Sequence, residues 1–308
     1  MSLYIKTPLL EMLDYSGANR SVSLKMEAYQ PVGSFKLRGI ETLCKQAIQG
    51  GARHLVSSSG GNAGLATAYA GRKLGIKTTV VLPKTTPAFV IDKLEKEKAA
   101  VTIQGGVWDE ANAYALSLVS TKETAYIPPF DHPALWEGHS TMIDELKADC
   151  AEQPDLVVLS VGGGGLMCGV MEGLLKNRWE ATRILAVETE GAASLYQSVK
   201  SNRLVQLDKI DTSASSLGAK QVTPKALEYA NRYNISPYLV SDESANKACV
   251  RFLEEYRTMI EPACGASLSV VYDNSPVLQD YKNIVIIVCG GAVVNIEKIM
   301  TWKEQYRL

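Results

Sequence analysis

The sequence predicts an α/β protein in which parallel sheets are flanked by helices. Short β-branched runs alternate with longer helical stretches, a pattern typical of strand–helix–strand units. Two of the runs, residues 156–161 and 284–288, are continuously apolar, as expected for strands that are covered on both faces. Hydrophobic residues make up 46% and charged residues 21% of the chain, which excludes a disordered or fibrous protein.

The elements follow from local signals along the chain. Predicted strands cover residues 23–26, 54–57, 78–82, 101–104, 156–161, 183–187 and 283–289. Predicted helices cover residues 63–74, 87–98, 108–120, 136–150, 166–176 and 245–259. The first of these helices ends before Gly75, a suitable C-cap, and the second begins with a proline, which is favoured in a first turn. Residues 127–133 cannot continue a regular element, and residues 200–220 are predicted to form a surface loop.

Composition also limits the partners and the location. The formal net charge is −1, so the basic excess that drives nucleic-acid binding is missing. The six cysteines form no CxxC pair and the three histidines form no HExxH motif, so we expect reduced thiols and no zinc hydrolase site. Lys6 and Pro8 interrupt the apolar N-terminus, which argues against a signal peptide. We therefore expect a cytoplasmic protein without a membrane or nucleic-acid partner.

A glycine-rich loop follows the predicted buried strand 156–161. Residues 161–165 read VGGGG and lead into a predicted helix. Backbone N–H groups at such a helix N-terminus form a site for a phosphate. The sixth position counted from Gly162 is Met167, so the dinucleotide pattern GxGxxG fails, and no Walker motif occurs. A monophosphate ligand is therefore favoured, and the alternative is a tight turn that binds nothing.

Two further segments carry candidate chemistry. Residues 31–39 read PVGSFKLRG and place Lys36 between an aromatic and an aliphatic residue. A partly buried lysine has a lowered pKa and can form Schiff bases, although Lys36 also fits an ordinary helix start capped by Ser34. Residues 57–64 read SSSGGNAG and again join a strand to a helix. Their donors suit a carboxylate, and the alternative is a helix N-cap by Ser59 or Asn62.

The segments PVGSFKLRG, SSSGGNAG, SVGGGGLMCG and VCGGA occur in this order. Together they strongly resemble the fold-type II pyridoxal-phosphate enzymes. The segments IPPFDHPALWEGH, VETEGAAS and EPACGASLSVVY resemble the serine dehydratase branch of that family. The resemblance extends over nearly the whole chain. It implies a two-lobed α/β fold with a small domain of residues 34–133 and a large cofactor-binding domain of residues 1–33 and 134–308.

The resemblance also implies three sets of site residues. The residues implied to contact pyridoxal 5'-phosphate are Phe35, Lys36, Asn62, Gly162, Gly163, Gly164, Gly165 and Cys289. The residues implied to bind the substrate carboxylate are Ser59, Gly60, Gly61, Asn62 and Ala63. The residues implied to form an oxygen cage for a monovalent cation such as potassium are Glu188, Ala192, Ser194, Leu217 and Ala219. A polar loop at a strand end is the alternative for this last set, because oxygen sites for hard cations have weak sequence signatures.

Within these sets the resemblance implies the following roles. Lys36 carries the cofactor as a Schiff base and takes the proton from Cα of the substrate, with Ser59 near the leaving hydroxyl group. Phe35 stacks beside the cofactor ring, the glycines hold the phosphate, and Asn62 hydrogen-bonds the ring hydroxyl. Cys289 faces the pyridine nitrogen, although read alone it would be a core thiol. Because a thiol with a pKa of about 8.5 is a poor proton source for a pyridine, Cys289 favours elimination over transamination.

The expected reaction is a β-elimination that converts L-serine to pyruvate and ammonia, and L-threonine to 2-oxobutanoate by the same route. The expected assembly is a homodimer. Gly60 stands where relatives typically carry alanine, which widens the predicted pocket. The alternatives are another pyridoxal-phosphate elimination or racemisation on serine or cysteine, a cofactor-binding relative without catalysis, or a nucleotide-binding regulator. An intact Lys36 argues against the last two.

Overall fold

The computed structural model describes residues 2–17 and 19–308, which form two compact units. Unit 1 consists of Met1–Ile5 and Gln30–His139, and unit 2 consists of Lys6–Tyr29 and Ser140–Leu308. Each unit contains one β-sheet with helices packed against it. Among the described helices, none has both the length and the apolar character needed to cross a bilayer.

The elements are numbered in chain order. The strands are β1 (Leu9–Glu11), β2 (Ser21–Lys25), β3 (His54–Ser57), β4 (Lys77–Leu82), β5 (Ala100–Ile103), β6 (Thr124–Tyr126), β7 (Leu156–Ser160), β8 (Arg183–Thr189), β9 (Ile235–Val240) and β10 (Asn283–Ile287). The helices are α1 (Lys36–Gln49), α2 (Asn62–Leu74), α3 (Ala88–Lys96), α4 (Trp108–Ser117), α5 (Pro133–Asp149), α6 (Gly165–Lys176), α7 (Ser194–Ser201), α8 (Pro224–Arg232), α9 (Asp242–Tyr256), α10 (Pro262–Tyr272) and α11 (Ile296–Tyr306).

The sheet of unit 1 has the strand order β5-β4-β3-β6, and all its strand pairs are parallel. Successive side chains of a strand point to opposite faces of a sheet. Val80 and Leu82 of β4 accordingly pack with residues of α2 and α3, whereas Val81 packs with residues of α4. Because helices cover both faces, β4 reads as a continuous apolar run rather than an alternating one.

The sheet of unit 2 has the strand order β1-β2-β10-β7-β8-β9. Only the edge pair β1–β2 is antiparallel, and the other pairs are parallel. Strand β7 is buried at every residue, and so is helix α10 along its whole length. The predicted α/β class with parallel sheets flanked by helices is therefore confirmed.

Several sequence predictions differ from the structure. Strand 54–57 is found as predicted. Strands β1, β6 and β9 and helices α7, α8, α10 and α11 were not predicted, and α1 was expected only as the helix start in the alternative interpretation of Lys36. The segment 200–220 is not wholly on the surface, because Ala214 and Leu217 are buried and residues Ser215–Leu217 form a 3-10 helix. The candidate loops nevertheless follow strand ends, since Ser58 follows β3, Gly162 follows β7 and Cys289 follows β10. The carboxyl ends of parallel strands are the usual place for ligand-binding loops.

Candidate active site

The predicted site residues divide between the two units. Phe35, Lys36 and residues 59–63 belong to unit 1. The glycine loop, Cys289 and the predicted cation ligands belong to unit 2.

Lys36 is the first residue of α1, and its amine lies near a carbonyl of the same unit. Its Nζ is 2.5 Å from the carbonyl oxygen of Pro129 and 5.0 Å from the centroid of the Phe35 ring. Among the residues that the structure describes, no side chain caps α1, and the buried Oγ of Ser34 has no hydrogen-bond partner. Ser34 therefore does not act as the helix cap that the alternative interpretation of Lys36 requires. The half-buried amine has the setting of a reactive lysine rather than of a surface one.

A histidine that the sequence analysis left without a role packs behind this turn. His139 on α5 is fully buried, and neither of its ring nitrogens has a hydrogen-bond partner among the described residues. Its ring meets the Phe35 ring edge-on at 4.8 Å, and a Cβ at Gly39 would lie 2.6 Å from its Cε1. Burial first, and then the charges of Lys36 and Arg38, hold the pKa of His139 well below its usual range. The imidazole is therefore neutral, and its packing holds the Phe35 ring in place beside Lys36.

The loop between β3 and α2 carries the predicted carboxylate-binding residues. The Oγ of Ser59 accepts a hydrogen bond from the Gly61 N–H at 3.2 Å. Gly61 is the N-cap of α2, and no side chain caps this helix. Neither Ser59 nor Asn62 therefore serves as the N-cap. A helix N-terminus without a side-chain cap is suited to bind an anionic group such as a carboxylate.

The glycine loop of unit 2 joins β7 to α6. Gly164 has a φ of +91°, and a Cβ on it would lie 2.6 Å from the Cβ of Ala226. A Cβ on Gly162 would lie 2.9 Å from the Ser216 carbonyl oxygen. No side chain caps α6. The loop thus requires glycine for steric reasons, and the start of α6 has the character of a phosphate site.

Cys289 lies just beyond β10 and is buried. Its Sγ is 3.6 Å from the Oγ of Ser160, the last residue of β7. Cys264 hydrogen-bonds to Cys289, and burial followed by this contact raises the pKa of Cys264 well above its ordinary value. Cys289 therefore lies at the end of β10, in contact with Ser160 at the end of the neighbouring strand β7, which leads into the glycine loop.

The predicted cation ligands gather around the end of β8. The carboxylate of Glu188 accepts hydrogen bonds from the N–H groups of Leu195 and Tyr196 at 2.8 and 2.7 Å. Burial raises the pKa of Glu188 to about 8, although these N–H donors oppose the shift. The Oγ of Ser194 is buried and has no hydrogen-bond partner among the described residues. A buried oxygen of this kind fits the donor set of a hard cation.

The remaining members of that set are backbone positions. Ala192 ends a short 3-10 helix, Glu190–Ala192, and is buried. The carbonyl oxygen of Leu217 already accepts the N–H of Ala219 at 2.8 Å, which leaves one lone pair for another partner. In the part of the chain that the structure describes, no three His, Cys, Asp or Glu side chains gather as a transition-metal site would require.

These observations fit pyridoxal phosphate as a ligand. Unit 1 offers the amine of Lys36. Two residues earlier, the buried Oγ of Ser34 has no hydrogen-bond partner among the described residues. In unit 2, a side chain at Gly162 or Gly164 of the glycine loop would collide with neighbouring atoms, and helix α6 begins without a side-chain cap. A primary amine and an oxyanion cradle are the two features that an aldehyde-bearing phosphate cofactor needs.

Comparisons with known proteins agree with this chemistry. The family described as "Pyridoxal-phosphate dependent enzyme" matches residues 1–290. The L-serine dehydratase of Dictyostelium discoideum is 44% identical over 94% of this chain and 88% of its own. The L-serine dehydratase/L-threonine deaminase of Mus musculus is 43% identical over 100% of this chain and 97% of its own. A crystal structure of a fungal L-serine ammonia-lyase from Rhizomucor miehei has a TM-score of 0.94 and 34% identity, and the match covers 99% of this chain and 100% of that one. The chain therefore belongs to the pyridoxal-phosphate dependent enzyme family.

Proposed function

We propose that this protein is a lyase that uses pyridoxal phosphate to convert L-serine to pyruvate and ammonia, and L-threonine to 2-oxobutanoate and ammonia. The observation that carries the proposal is the full-length similarity to proteins named for these two substrates. Lys36 also lies at the start of α1 with its amine half-buried, as a cofactor lysine requires. Pyridoxal phosphate, when bound, supplies an electron sink for negative charge at Cα of an amino acid.

The protein's own groups divide the remaining tasks. Lys36 would hold the cofactor through its amine, and the same amine would accept the Cα proton of the substrate. Residues 59–63 would bind the substrate carboxylate at the start of α2, and Asn62 would orient the cofactor hydroxyl. The Ser59 hydroxyl accepts the Gly61 N–H and keeps its own hydrogen, which it donates toward the leaving hydroxyl oxygen.

Three further contacts belong to the cofactor. Phe35, whose ring packs edge-on against His139, would lie beside the cofactor ring. Gly162, Gly163, Gly164 and Gly165 hold the phosphate with backbone N–H groups at the start of α6. Cys289 would face the pyridine nitrogen, where a thiol in place of a carboxylate would limit how much negative charge the ring can store and so favour loss of a β-substituent over transamination.

The test is a product assay of the purified holoenzyme with L-serine and with L-threonine. We expect equal amounts of 2-oxo acid and ammonia. Lys36→Ala is expected to lose activity by about a thousandfold or more, because covalent binding and proton transfer both depend on that amine. Lys45→Ala, a change in the same helix that removes an ion pair with Glu41, is the matched control and should keep the activity.

Other results would overturn the proposal. Formation of D-serine without 2-oxo acid would indicate a racemase, and a bound cofactor without turnover of either amino acid would indicate a non-catalytic relative. Full activity in Lys36→Ala would remove the lysine from the mechanism.

We also infer that a potassium ion binds near Glu188 and Ser194, together with carbonyl groups of Ala192, Leu217 and Ala219. The unpartnered Ser194 hydroxyl supports this inference. Activity in potassium chloride is expected to exceed activity in lithium chloride at equal ionic strength, since an oxygen cage of this kind suits the larger ion. Ser194→Ala should abolish the difference, while Ser201→Ala at the exposed end of α7 should retain it. Equal rates in the two salts would contradict the inference.

The assembly and the domain roles complete the proposal. We infer a cytoplasmic homodimer, with residues 34–133 as the small domain and residues 1–33 and 134–308 as the cofactor-binding domain. Light scattering after size-exclusion chromatography tests the dimer, and a mass near 33.4 kDa would contradict it.

A further inference from the structure

Three side chains of unit 1 form a hydrogen-bonded triangle next to the proposed carboxylate loop. The Ser58 hydroxyl donates to the Asn112 side-chain oxygen at 2.8 Å, and the Tyr126 hydroxyl donates to the same oxygen at 2.6 Å. The two hydroxyl oxygens are 3.0 Å apart. The triangle, defined as Ser58, Asn112 and Tyr126, thus joins the end of β3 to α4 and to the end of β6.

The triangle holds the loop at its first residue. Ser58 is fully buried and directly precedes Ser59. Both hydroxyl hydrogens are donated to the single Asn112 oxygen, so the third side of the triangle is a contact between two hydroxyl oxygens that has no hydrogen of its own. Burial raises the pKa of the Tyr126 phenol, although its contact with Ser58 opposes the shift. The phenol therefore remains protonated and can donate throughout the neutral range.

The chain that follows Tyr126 contacts the catalytic lysine proposed above. The Ile127 N–H donates to the carbonyl of Val56 at 2.8 Å, which continues the pairing of β6 with β3. Two residues later, the carbonyl oxygen of Pro129 accepts a hydrogen bond from Lys36 Nζ. One short segment, residues 126–129, therefore touches both the loop and the lysine.

We propose that Tyr126, acting through Asn112 and Ser58, is a positioning residue that fixes the carboxylate-binding loop relative to the Lys36 amine. The proposal rests on the proposed function, because it assigns residues 59–63 to the substrate carboxylate. If the triangle sets the position of the loop, its loss weakens substrate binding before it affects the proton transfer at Lys36. A purely structural hydrogen bond would instead lower stability and leave the Michaelis constant unchanged.

The experiment compares Tyr126→Phe, Ser58→Ala and the double variant with a matched control. The control is Tyr238→Phe, because the Tyr238 hydroxyl is 2.9 Å from the Ser275 hydroxyl in unit 2, a similar half-buried Tyr–Ser contact. Measured quantities are kcat, KM for L-serine, the visible absorption of the bound cofactor and the melting temperature.

We expect Tyr126→Phe and Ser58→Ala each to raise KM about three- to tenfold, the effect of one lost hydrogen bond. We expect kcat to change less than about twofold, as for lost uniform binding. The double variant should be no worse than about the larger single effect, since both changes break one network. Tyr238→Phe should leave KM unchanged, and the cofactor absorption should stay the same in all four proteins.

An unchanged KM in Tyr126→Phe would overturn the proposal, and so would additive effects in the double variant. Ser59→Ala separates this failure from that of the proposed function. If Ser59→Ala raises KM while Tyr126→Phe does not, the loop binds the carboxylate but the triangle does not position it. If neither variant raises KM, the assignment of residues 59–63 to the carboxylate fails.

Discussion

The two strand-to-helix turns, residues 57–64 in unit 1 and residues 161–165 in unit 2, hold their shapes by different means. In the first turn, side chains make the contacts, with Ser58 bonded to Asn112 and the Oγ of Ser59 bonded to the Gly61 N–H. In the second turn, the absence of side chains makes close packing possible, because Gly164 and Gly162 lie where a Cβ would meet neighbouring atoms. Both turns lead into helices without a side-chain cap.

This difference bears on how each turn responds to change. Removing one side-chain hydrogen bond costs about 0.5–1.5 kcal/mol of stability. A turn held by such bonds is therefore weakened gradually as they are removed. An added methyl group at Gly162 or Gly164 of the second turn would meet backbone or Cβ atoms at once, and the first turn has the same sensitivity only at Gly64, where it enters α2. The first design suits a loop that selects among amino acids, and the second suits a cradle for one constant phosphate group.

The largest effect on cofactor affinity is expected for Gly164→Ala. The positive φ and the 2.6 Å approach to the Ala226 Cβ would force the loop to move. We expect a loss of about 1–3 kcal/mol in the free energy of unfolding. We also expect at least about a tenfold weaker affinity for the cofactor, equivalent to about 1.4 kcal/mol. Equilibrium titration followed by visible absorption measures the affinity.

Gly75→Ala is the matched control for that prediction. Gly75 also has a positive φ, of +69°, but a Cβ there meets nothing within 4 Å. The Gly75→Ala variant should lose about 1 kcal/mol in the free energy of unfolding, without any change in cofactor affinity. Equal affinity in Gly164→Ala and Gly75→Ala would contradict the role of the glycine loop.

The turn before Lys36 is held by a third means, the packing of Phe35 against the buried His139. Burial, and then Lys36 and Arg38, hold the pKa of His139 below its usual value. The unfolded chain therefore binds a proton near pH 6.5 that the folded protein excludes. The free energy of unfolding should fall as pH drops below about 6.5, by about 1.4 kcal/mol per pH unit until the folded pKa is reached.

His139→Gln should remove this acid sensitivity, since glutamine does not titrate. Urea unfolding at several pH values between about 5 and 8 gives the slopes. His54→Gln is the comparison variant, because burial and then Lys77 also lower the pKa of His54, which is only partly buried. A slope that is unchanged in His139→Gln would show that His139 does not titrate as inferred.

A smaller effect is expected for Gly60→Ala in the first turn. Gly60 has no positive φ, and a Cβ there would lie 3.2 Å from the flexible tip of Leu82. The loop should accept the methyl group with a stability change within about 0.5 kcal/mol. The narrower pocket should raise kcat/KM for L-serine by about two- to fivefold, as better orientation at a reacting centre allows.

Gly64→Ala supplies the contrast within the same turn. A Cβ at Gly64 would lie 1.7 Å from the carbonyl oxygen of Ser59, so this variant should lose both stability and activity. If Gly60→Ala leaves the rates on serine and threonine unchanged, residue 60 does not tune the pocket.

The sequence allowed prediction of those elements whose signals are local. Strand 54–57 and helix α2 have β-branched or alanine-rich sequences bounded by glycine, and both were found. Helix α10 was missed because it is buried on all sides, so it has no polar face and no helical period to detect. Strand β9 was missed because Pro237 interrupts it, which is typical of the edge position that it occupies in its sheet.

The same limit applies to the candidate site. Lys36, the residues of the first turn and the glycines of the second stand in short recognisable motifs. Ser58 and its partners Asn112 and Tyr126 are 54 and 68 residues apart in the chain. His139 reads as one histidine on a helix, and its burial against Phe35 depends on how α5 packs. Contacts between distant parts of the chain carry no local signal, so these residues required the structure.

The most direct test of the account is to locate the covalent link between the cofactor and the protein. Sodium borohydride fixes a Schiff base to its lysine, and proteolysis with mass spectrometry then identifies the labelled peptide. The account predicts one reduced pyridoxal phosphate per chain, attached to Lys36, and no label in Lys36→Ala. A label on another lysine, or equal labelling of the Lys36→Ala variant, would contradict it.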